Sequence, residues 1–559
     1  MMEYRAARLA YRFWLSLATP GLLLGTVFFA ISLSPSLVPR PFVLQVWIAG
    51  TALAAGYALG VALNWLWRFM ELPELHGHAK RWLKFGLGLV SLGLAVAFVV
   101  QTAGWQNDVR LIMGLPPLET GRPLSTALLA LLMFTLLLAL ARLLRWIKRQ
   151  IAGHSGRILP RPVALVFGGA VTLVLVWGLV NGVLARLALN SFDASFRQLD
   201  LVIESETAPP LADGVTGGPA SLVDWEGIGR QGRRFLSTTP SADAIAAVAP
   251  PTAPIQQPLR VYVGLNSAET VAERADLALA ELLRQNAFER ELLIIVTPTG
   301  TGWIDPGAIR SVEYLHRGNV ASVAVQYSYL PSWLSLLAQP ESGRETAAAL
   351  FDMVYSHWRT LPADSRPRLY LHGLSLGALN SERAADLWDW VADPIDGALW
   401  SGPPFRSETW QWITARRQSG SPVWQPRFRD GSVIRFANQD GGLEDFDAEW
   451  GPFRIAYLQY ASDPITFFEP SSLYREPAWM RDQRGPDVVD SLRWYPVVTF
   501  LQLAADIAAA DNAPIGFGHT YATEHYIDIW YRLTEPQGWD SQSLTRLRQA
   551  IGDLNSDSD

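Results

Sequence analysis

A hydroxyl becomes a useful nucleophile at neutral pH when a histidine takes its proton and a carboxylate orients that histidine. The stretch "LHGLSLGALNSE", residues 371–382, sets Ser375 in Gly-x-Ser-x-Gly behind the apolar run "PRLYL". A glycine on each side lets the chain turn sharply from strand to helix. The Ser375 hydroxyl then projects above a sheet, and the N–H of Leu376 and the helix start face developing negative charge. The bare pattern is weak in a chain with 44 glycines among 559 residues, so its surroundings decide.

In such an architecture the acid and the histidine follow the serine in that order. "FRIAYLQYASDPIT" reads as a late strand ending at Asp463, where Pro464 stops pairing, and makes Asp463 the predicted acid. A turn-initiating Asp before Pro is the alternative, and Asp487 and Asp490 stand in reserve. Of eight histidines only His519 and His525 follow Asp463. His519, in the glycine-bearing loop "PIGFGHTY", is the predicted base; His525 falls on the next helix, where it would serve surface or packing. His372 precedes the elbow inside its strand and reads as structural. A second oxyanion donor is sought in the loop "IIVTPTGTGWIDP", at the N–H of Gly300 or Thr301, with a plain turn as the alternative. Leu374, Tyr327, Tyr329 and Trp333 are candidates for the substrate pocket. Aromatic walls suit an apolar acyl or lipid-like ester and are equally ordinary core material.

These residues need a scaffold, and from residue 258 the pattern supplies one. "LRVYVG", "ELLIIVT", "VASVAVQYSYL" and "RLYLHG" read as strands, separated by helical stretches such as "AETVAERADLALAELLRQNA" and "GRETAAALFDMVYSHWRTL". The alternation predicts a mostly parallel, doubly wound sheet of the α/β-hydrolase type, with Ser375 at a strand-to-helix junction. The segment "SETWQWITARRQSGSPVW" falls where such a fold inserts a cap. Residues 258–559 are thus the expected catalytic domain. Residues 191–257, rich in Pro, Ala, Ser, Thr and Gly, read as a linker whose island "SLVDWEGIGRQGRRFL" packs on the membrane surface or on the next domain. Its Arg230, Arg233 and Arg234 read as a solvated loop, with lipid phosphates as the alternative.

Residues 1–190 differ in kind. Apolar stretches at roughly 14–36, 42–67, 85–101, 124–141 and 162–188 have cores without Asp, Glu, Lys or Arg, and predict a bundle of five membrane-spanning helices. Trp65, Trp67, Trp82, Trp105 and Trp146 near their ends suit the headgroup region. Basic residues are unequally shared. Arg5, Arg8, Arg12, Arg68, Lys80, Arg81, Lys84, Arg142, Arg145, Lys148, Arg149, Arg157 and Arg161 lie on one side, and only Arg40, Arg110 and Arg122 on the other. Thirteen against three predicts a cytoplasmic N-terminus in the bacterial inner membrane and an extracytoplasmic catalytic domain. No convincing signal-peptide cleavage site follows the first stretch.

Composition removes other chemistries. With no cysteine there is no disulfide, thiolate nucleophile or cysteine metal site. A net charge of −6 without a basic stripe gives no support for nucleic acid as a partner. Glu71, Glu74, His76 and His78 read as a polar loop rather than a metal site, and "NQDGGLEDFDAE" lacks the ligand order of a calcium loop. No cofactor is expected.

"RVYVGLNSAETVAERA", "VTPTGTGWIDP", "VQYSYLPSW", "GLSLGALNSE", "YLQYASDPI" and "GFGHTY", with "LSPSLVPRP" near the first apolar stretch, resemble the bacterial integral-membrane α/β-hydrolases known as α/β-hydrolase family nine. The likeness covers nearly the whole chain and implies Ser375, Asp463 and His519 as a triad, each matched in its own motif. Two positions depart from the family: Leu374 stands where members often carry Glu, and "GFGH" where they carry "GHGH". Both touch the pocket rather than the triad.

The expected function is a membrane-anchored serine hydrolase of ester or acyl bonds, with membrane lipids as neighbours. An acyltransferase would use the same triad, passing the acyl group to an alcohol instead of water. A transporter with an accessory hydrolase-like domain is a third reading, poorly supported because Asn64 and Asn181 are the conspicuous polar residues in the apolar stretches. An envelope scaffold is a fourth, against which the Ser, Asp and His set argues.

Overall fold

The computed structural model describes residues 16–73, 77–118, 122–184, 195–203, 207–332, 334–335, 339, 341–385, 393–444, 446–481 and 483–556. The chain divides into two compact units, one of residues 1–184 with 468–518 and the other of residues 185–467 with 519–559. The segment 468–518, taken from its sequence as part of the C-terminal domain, thus groups with the N-terminal helices.

The first unit is helical. Its helices are α1 (Thr19–Ser32), α2 (Phe42–Phe69), α3 (Gly77–Ile112), α4 (Pro123–Ser155) and α5 (Arg161–Trp177), the last continued by a π-helical stretch, Gly178–Leu184. The five apolar stretches are all helical, but only α2, α3 and α4, of 28, 36 and 33 residues, are long and apolar enough to cross a membrane. At 14 and 17 residues, α1 and α5 extend roughly 21 and 26 Å, short of ~30 Å of hydrocarbon. Leu89, Val100 and Val166 are more than half exposed, so the apolar side chains face outward instead of filling a core. The contact between α1 and α2 is made by glycines spaced four apart on both helices: Gly21 and Gly25, Gly56 and Gly60. A Cβ at Gly60 would lie 2.4 Å from the Pro20 carbonyl oxygen, and one at Gly56 2.6 Å from that of Leu24. Such small-residue seams let helix backbones approach where apolar burial gives no drive. The helix Val498–Ile507 joins this unit, Val498 packing with Phe28 and Ala52.

The second unit is a three-layer α/β structure. Its strands are β1 (Leu259–Val263), β2 (Leu292–Thr297), β3 (Val320–Val325), β4 (Arg368–Leu374), β5 (Gly397–Ser401), β6 (Ile434–Ala437) and β7 (Arg454–Leu458). They form one sheet in the order β1-β3-β2-β4-β5-β7-β6, with all pairs parallel. β2 and β3 are buried throughout, as expected where helices cover both faces. The register pairs Thr297 with Gly373, Leu374 with Ser401 and Ser401 with Leu458, so β2, β4, β5 and β7 end level. Loops leaving those carboxyl ends share one rim, where open parallel sheets bind ligands. The helix Val271–Arg284 is fixed at its start by a capping box between Thr270 and Glu273.

The presumed linker is largely built into this unit. In the helix Arg230–Ser237, a Cβ at Gly232 would lie 2.3 Å from the Tyr262 ring. Arg233 is 1% exposed and donates to the Asp200 and Val202 carbonyls at 2.9 and 2.7 Å, so it is not a solvated loop residue. The buried Arg260 on β1 holds Glu313 through two 2.7 Å bonds and donates to the Phe235 carbonyl. The proposed cap segment contributes the helix Glu408–Ala415, whose Trp410 is buried against Phe467.

Candidate active site

β4 delivers Ser375 at its carboxyl end, and the helix Leu376–Glu382 starts at the next residue. Ser375 sits at φ 58°, ψ −123°, a conformation costing a non-glycine residue ~1–3 kcal/mol and held only by its surroundings. The flanking glycines explain how it is held. A Cβ at Gly373 would lie 2.4 Å from the Gly377 carbonyl carbon, and one at Gly377 2.2 Å from the Thr297 oxygen at the end of β2. The turn is thus too tight for any side chain at either position. The Ser375 N–H donates to the Ser401 carbonyl at 2.9 Å, anchoring the elbow to β5.

Asp463 and His519 are brought together across 56 residues of sequence: His519 Nδ1 lies 2.7 Å from Asp463 Oδ2, with both side chains buried. β7 ends at Leu458 rather than at Asp463, which lies in the following turn ahead of the short helix Pro464–Phe467. The carboxylate is fully engaged. Oδ1 accepts from the N–H of Ile465 at 2.8 Å and that of Thr466 at 3.4 Å. Oδ2 accepts from the Thr466 hydroxyl at 3.1 Å and from the Tyr521 hydroxyl at 2.7 Å. A carboxylate held by five donors presents one fixed edge to the imidazole, which sets the ring's orientation and places the proton on Nδ1. The serine and the histidine converge on the end of β5. Ser401 accepts from the elbow backbone, and a Cβ at its neighbour Gly402 (φ 50°) would lie 2.6 Å from His519 Cε1, the ring carbon between the two nitrogens.

Sequence reasoning missed several residues of this rim. Tyr521 follows His519 by two positions in the quoted "GFGHTY", but nothing in that spacing announces a bond to Asp463. Asp305 caps the helix Pro306–Leu315, its Oδ1 accepting from Gly307 N–H at 2.9 Å. Burial pushes its carboxyl up to about 6, opposed by those backbone bonds, by Tyr526 and by nearby His519. Glu382, at the end of the elbow helix, is buried and accepts from the Ser407 hydroxyl. Burial pushes its carboxyl up to about 8. His372 is enclosed on β4, Nδ1 2.9 Å from the Leu399 carbonyl oxygen, and burial holds it down at about 4, in keeping with a structural, neutral ring. His525 lies on the helix Thr523–Thr534 with Nδ1 2.6 Å from the Tyr460 hydroxyl, which also accepts from Ala522 N–H. It ties down the turn after His519.

The remaining predicted positions divide. The Gly300 N–H donates to Ser332 Oγ at 3.2 Å, and a Cβ there would lie 2.6 Å from the Leu330 oxygen, so close packing accounts for that glycine. The Thr301 N–H takes no part in the bonds that close this turn, Thr299 N–H to Trp303 and Gly302 N–H to Thr299. Thr301 is therefore the better second donor beside Leu376. Leu374 and Tyr327 are buried, and Tyr329 donates to Asn266 Oδ1 at 2.6 Å. Trp333 lies outside the described residues, as do Glu74 and His76. Among the described residues no group of three or more His, Asp or Glu could hold a metal. Asp487 and Asp490 belong to the helical unit.

Residues 259–547 match the alpha/beta-hydrolase family, and residues 33–240 match the N-terminal region of that family. Among curated proteins and among solved structures, none is detectably similar to the chain. The parallel seven-stranded sheet agrees with the family's fold, and the family supports a hydrolase-type function. With its C-terminal match spanning more than half of its length, the chain belongs to the alpha/beta-hydrolase family.

Proposed function

We propose that the chain is a membrane-anchored serine hydrolase that cleaves ester or acyl bonds through Ser375, His519 and Asp463. The observation that carries this is the 2.7 Å pair of His519 and Asp463 on the rim where the strained Ser375 turn emerges. His519 Nε2 takes the Ser375 proton as Oγ attacks the substrate carbonyl carbon, and Asp463 stabilises the imidazolium through Nδ1–H. Negative charge developing on the carbonyl oxygen is met by the N–H of Leu376 and of Thr301. The imidazolium then protonates the leaving alcohol, and an acyl group remains on Ser375. Water, activated by the same histidine, releases the acid and restores the hydroxyl.

Five helical segments anchor the domain in this proposal, with a cytoplasmic N-terminus and an extracytoplasmic site. The basic-residue bias and the three long apolar helices support it. An apolar, lipid-like ester suits an enzyme confined to a membrane surface, where anchoring raises the effective concentration of such a substrate. The test is labelling of membranes by a fluorophosphonate probe. Wild type should label, and Ser375→Ala should neither label nor hydrolyse esters. A labelled Ser375→Ala protein would place the nucleophile elsewhere.

A further inference from the structure

At one end of the helical unit, the loop before α2 and the loop between α3 and α4 enclose a cavity of about 580 Å³ that the hydrolase chemistry does not use. That is room for a small-molecule headgroup, within the ~300–1,000 Å³ of ordinary ligand pockets. Its polar lining is one-sided. Thr102, Gln106 and Arg110 form one stripe, spaced four apart along α3; Arg40 and Arg122 stand opposite, and no carboxylate lines the space. Two long helices, α2 and α4, also begin at this cavity, adding the positive ends of their dipoles.

The arginines are not equivalent. Arg40 closes the end of α1, donating to the Ser32 and Ser34 carbonyls at 3.1 and 2.6 Å and to Gln45 at 2.9 Å. Asp506 lies 3.8 Å away on its far side. Its charge is largely answered. Arg110 spends its Nε on the Pro116 carbonyl at 2.7 Å, which fixes the guanidinium at the cavity wall, and Arg122 lies over the Phe42 ring at 6.0 Å. Neither is paired with a carboxylate among the described residues. A second, independent observation comes from Gln106. Its Oε1 accepts from the Arg40 N–H at 3.4 Å, which assigns the amide orientation, and its Nε2 is buried without a hydrogen-bond partner. The residue is only 7% exposed. A buried amide donor with no acceptor costs free energy, and the one direction in which an acceptor could come is the cavity.

We propose that this cavity binds a phosphoryl group, its oxygens accepting from Gln106 Nε2, Arg110 and Arg122. A phosphate offers only acceptors and negative charge, the complement of a wall that offers only donors and positive charge. The group could be carried by an anionic lipid or by a soluble phosphorylated molecule, and the two are separable by experiment.

The full-length protein in detergent is offered phosphatidylglycerol or diacylglycerol, and retained lipid is counted by native mass spectrometry. In a parallel arm, glycerol phosphate and glycerol are titrated calorimetrically. Wild type should retain phosphatidylglycerol over diacylglycerol. Gln106→Leu, and separately the pair Arg110→Gln and Arg122→Gln, should weaken binding roughly 10-fold or more, the scale of losing a charge-assisted hydrogen bond. Hydrolysis of a soluble short-chain ester should be unchanged, since none of these residues belongs to the proposed triad. Should an arginine variant fail to fold, Arg110→Lys with Arg122→Lys keeps the charge and should retain binding. Comparable binding of glycerol phosphate assigns a soluble ligand; binding of the lipid alone assigns a headgroup site. The proposal is overturned if wild type prefers neither phosphorylated probe to its neutral counterpart, or if Gln106→Leu binds as wild type does.

Discussion

Replacing Asp463 by asparagine tests the proposed mechanism sharply, because the structure dictates how the new amide must lie. Oδ1 of Asp463 accepts from two backbone N–H groups, of Ile465 and Thr466, which cannot turn away. Oδ2 faces two hydroxyls, of Tyr521 and Thr466, which can rotate to accept instead of donate. The amide oxygen therefore takes the Oδ1 position and the NH₂ the Oδ2 position, pointing at His519 Nδ1. That nitrogen must then accept, which moves the ring proton to Nε2, where it blocks uptake of the Ser375 proton. The fold should survive with a loss of ~1–2 kcal/mol, since every polar atom still finds a partner. Catalysis should not: a histidine in the wrong tautomer lowers kcat by about 10⁴, or ~5.5 kcal/mol of barrier. The assay is hydrolysis of a short p-nitrophenyl ester by detergent-solubilised protein, with thermal melting to establish folding. Tyr521→Phe, which removes one donor but leaves the tautomer, should cost tenfold or less. A folded Asp463→Asn protein with activity within tenfold of wild type would refute the assignment of Asp463.

Three further outcomes follow from the same geometry. His519→Ala should lower ester turnover by ~10³ or more, while His525→Ala, which removes only a contact to Tyr460, should mainly lower the melting temperature; the reverse pattern would exchange their roles. Glu382, with an ordinary value of 4.5 raised to about 8 by burial, binds its proton more tightly when folded. Its contribution to stability is full below about 4.5 and lost as pH rises through about 8, so Glu382→Gln should flatten the decline in melting temperature between pH 5 and 8, an effect of at most roughly 4 kcal/mol; an unchanged decline excludes Glu382 as its source. For the orientation, a phosphatase fused after Asp559 should be active and a fluorescent protein that matures only in the cytoplasm should stay dark, whereas the opposite result would invert the proposed topology.

Ser375 was legible because an elbow is a local object. Two glycines, a β-branched and aromatic run before them and helix formers after them all lie within a dozen residues, and the steric demand at Gly373 and Gly377 is made by that same stretch and its neighbour strand. The strand-and-helix alternation was legible for the same reason, although β5 and β6, short and without marked alternation, were not singled out. Asp463 and His519 were found by chain order and by the turn chemistry around them, not by any sign in the sequence that they touch.

The burial of Arg233, Asp305 and Glu382 had no such local sign. Whether an ionisable side chain is solvated depends on what packs over it from elsewhere in the chain: Asp200 and Val202 for Arg233, Ser407 for Glu382, Tyr526 for Asp305. The grouping of residues 468–518 with the helical unit is of the same kind, since its helix Val498–Ile507 is an ordinary amphipathic segment until Phe28 and Ala52 meet it. Sequence by itself determined the nucleophile's turn, the parallel-sheet class and the apolar character of the first third, because backbone sterics and hydrophobic period act over a few residues. Only the tertiary structure decided that Tyr521 and His519 share one oxygen of Asp463, that Gly300 spends its N–H on Ser332, and that Gln106 keeps a donor buried at the end of the helical unit. Each of these depends on which distant backbones come within about 3 Å of one another, and that is settled by packing across the whole chain.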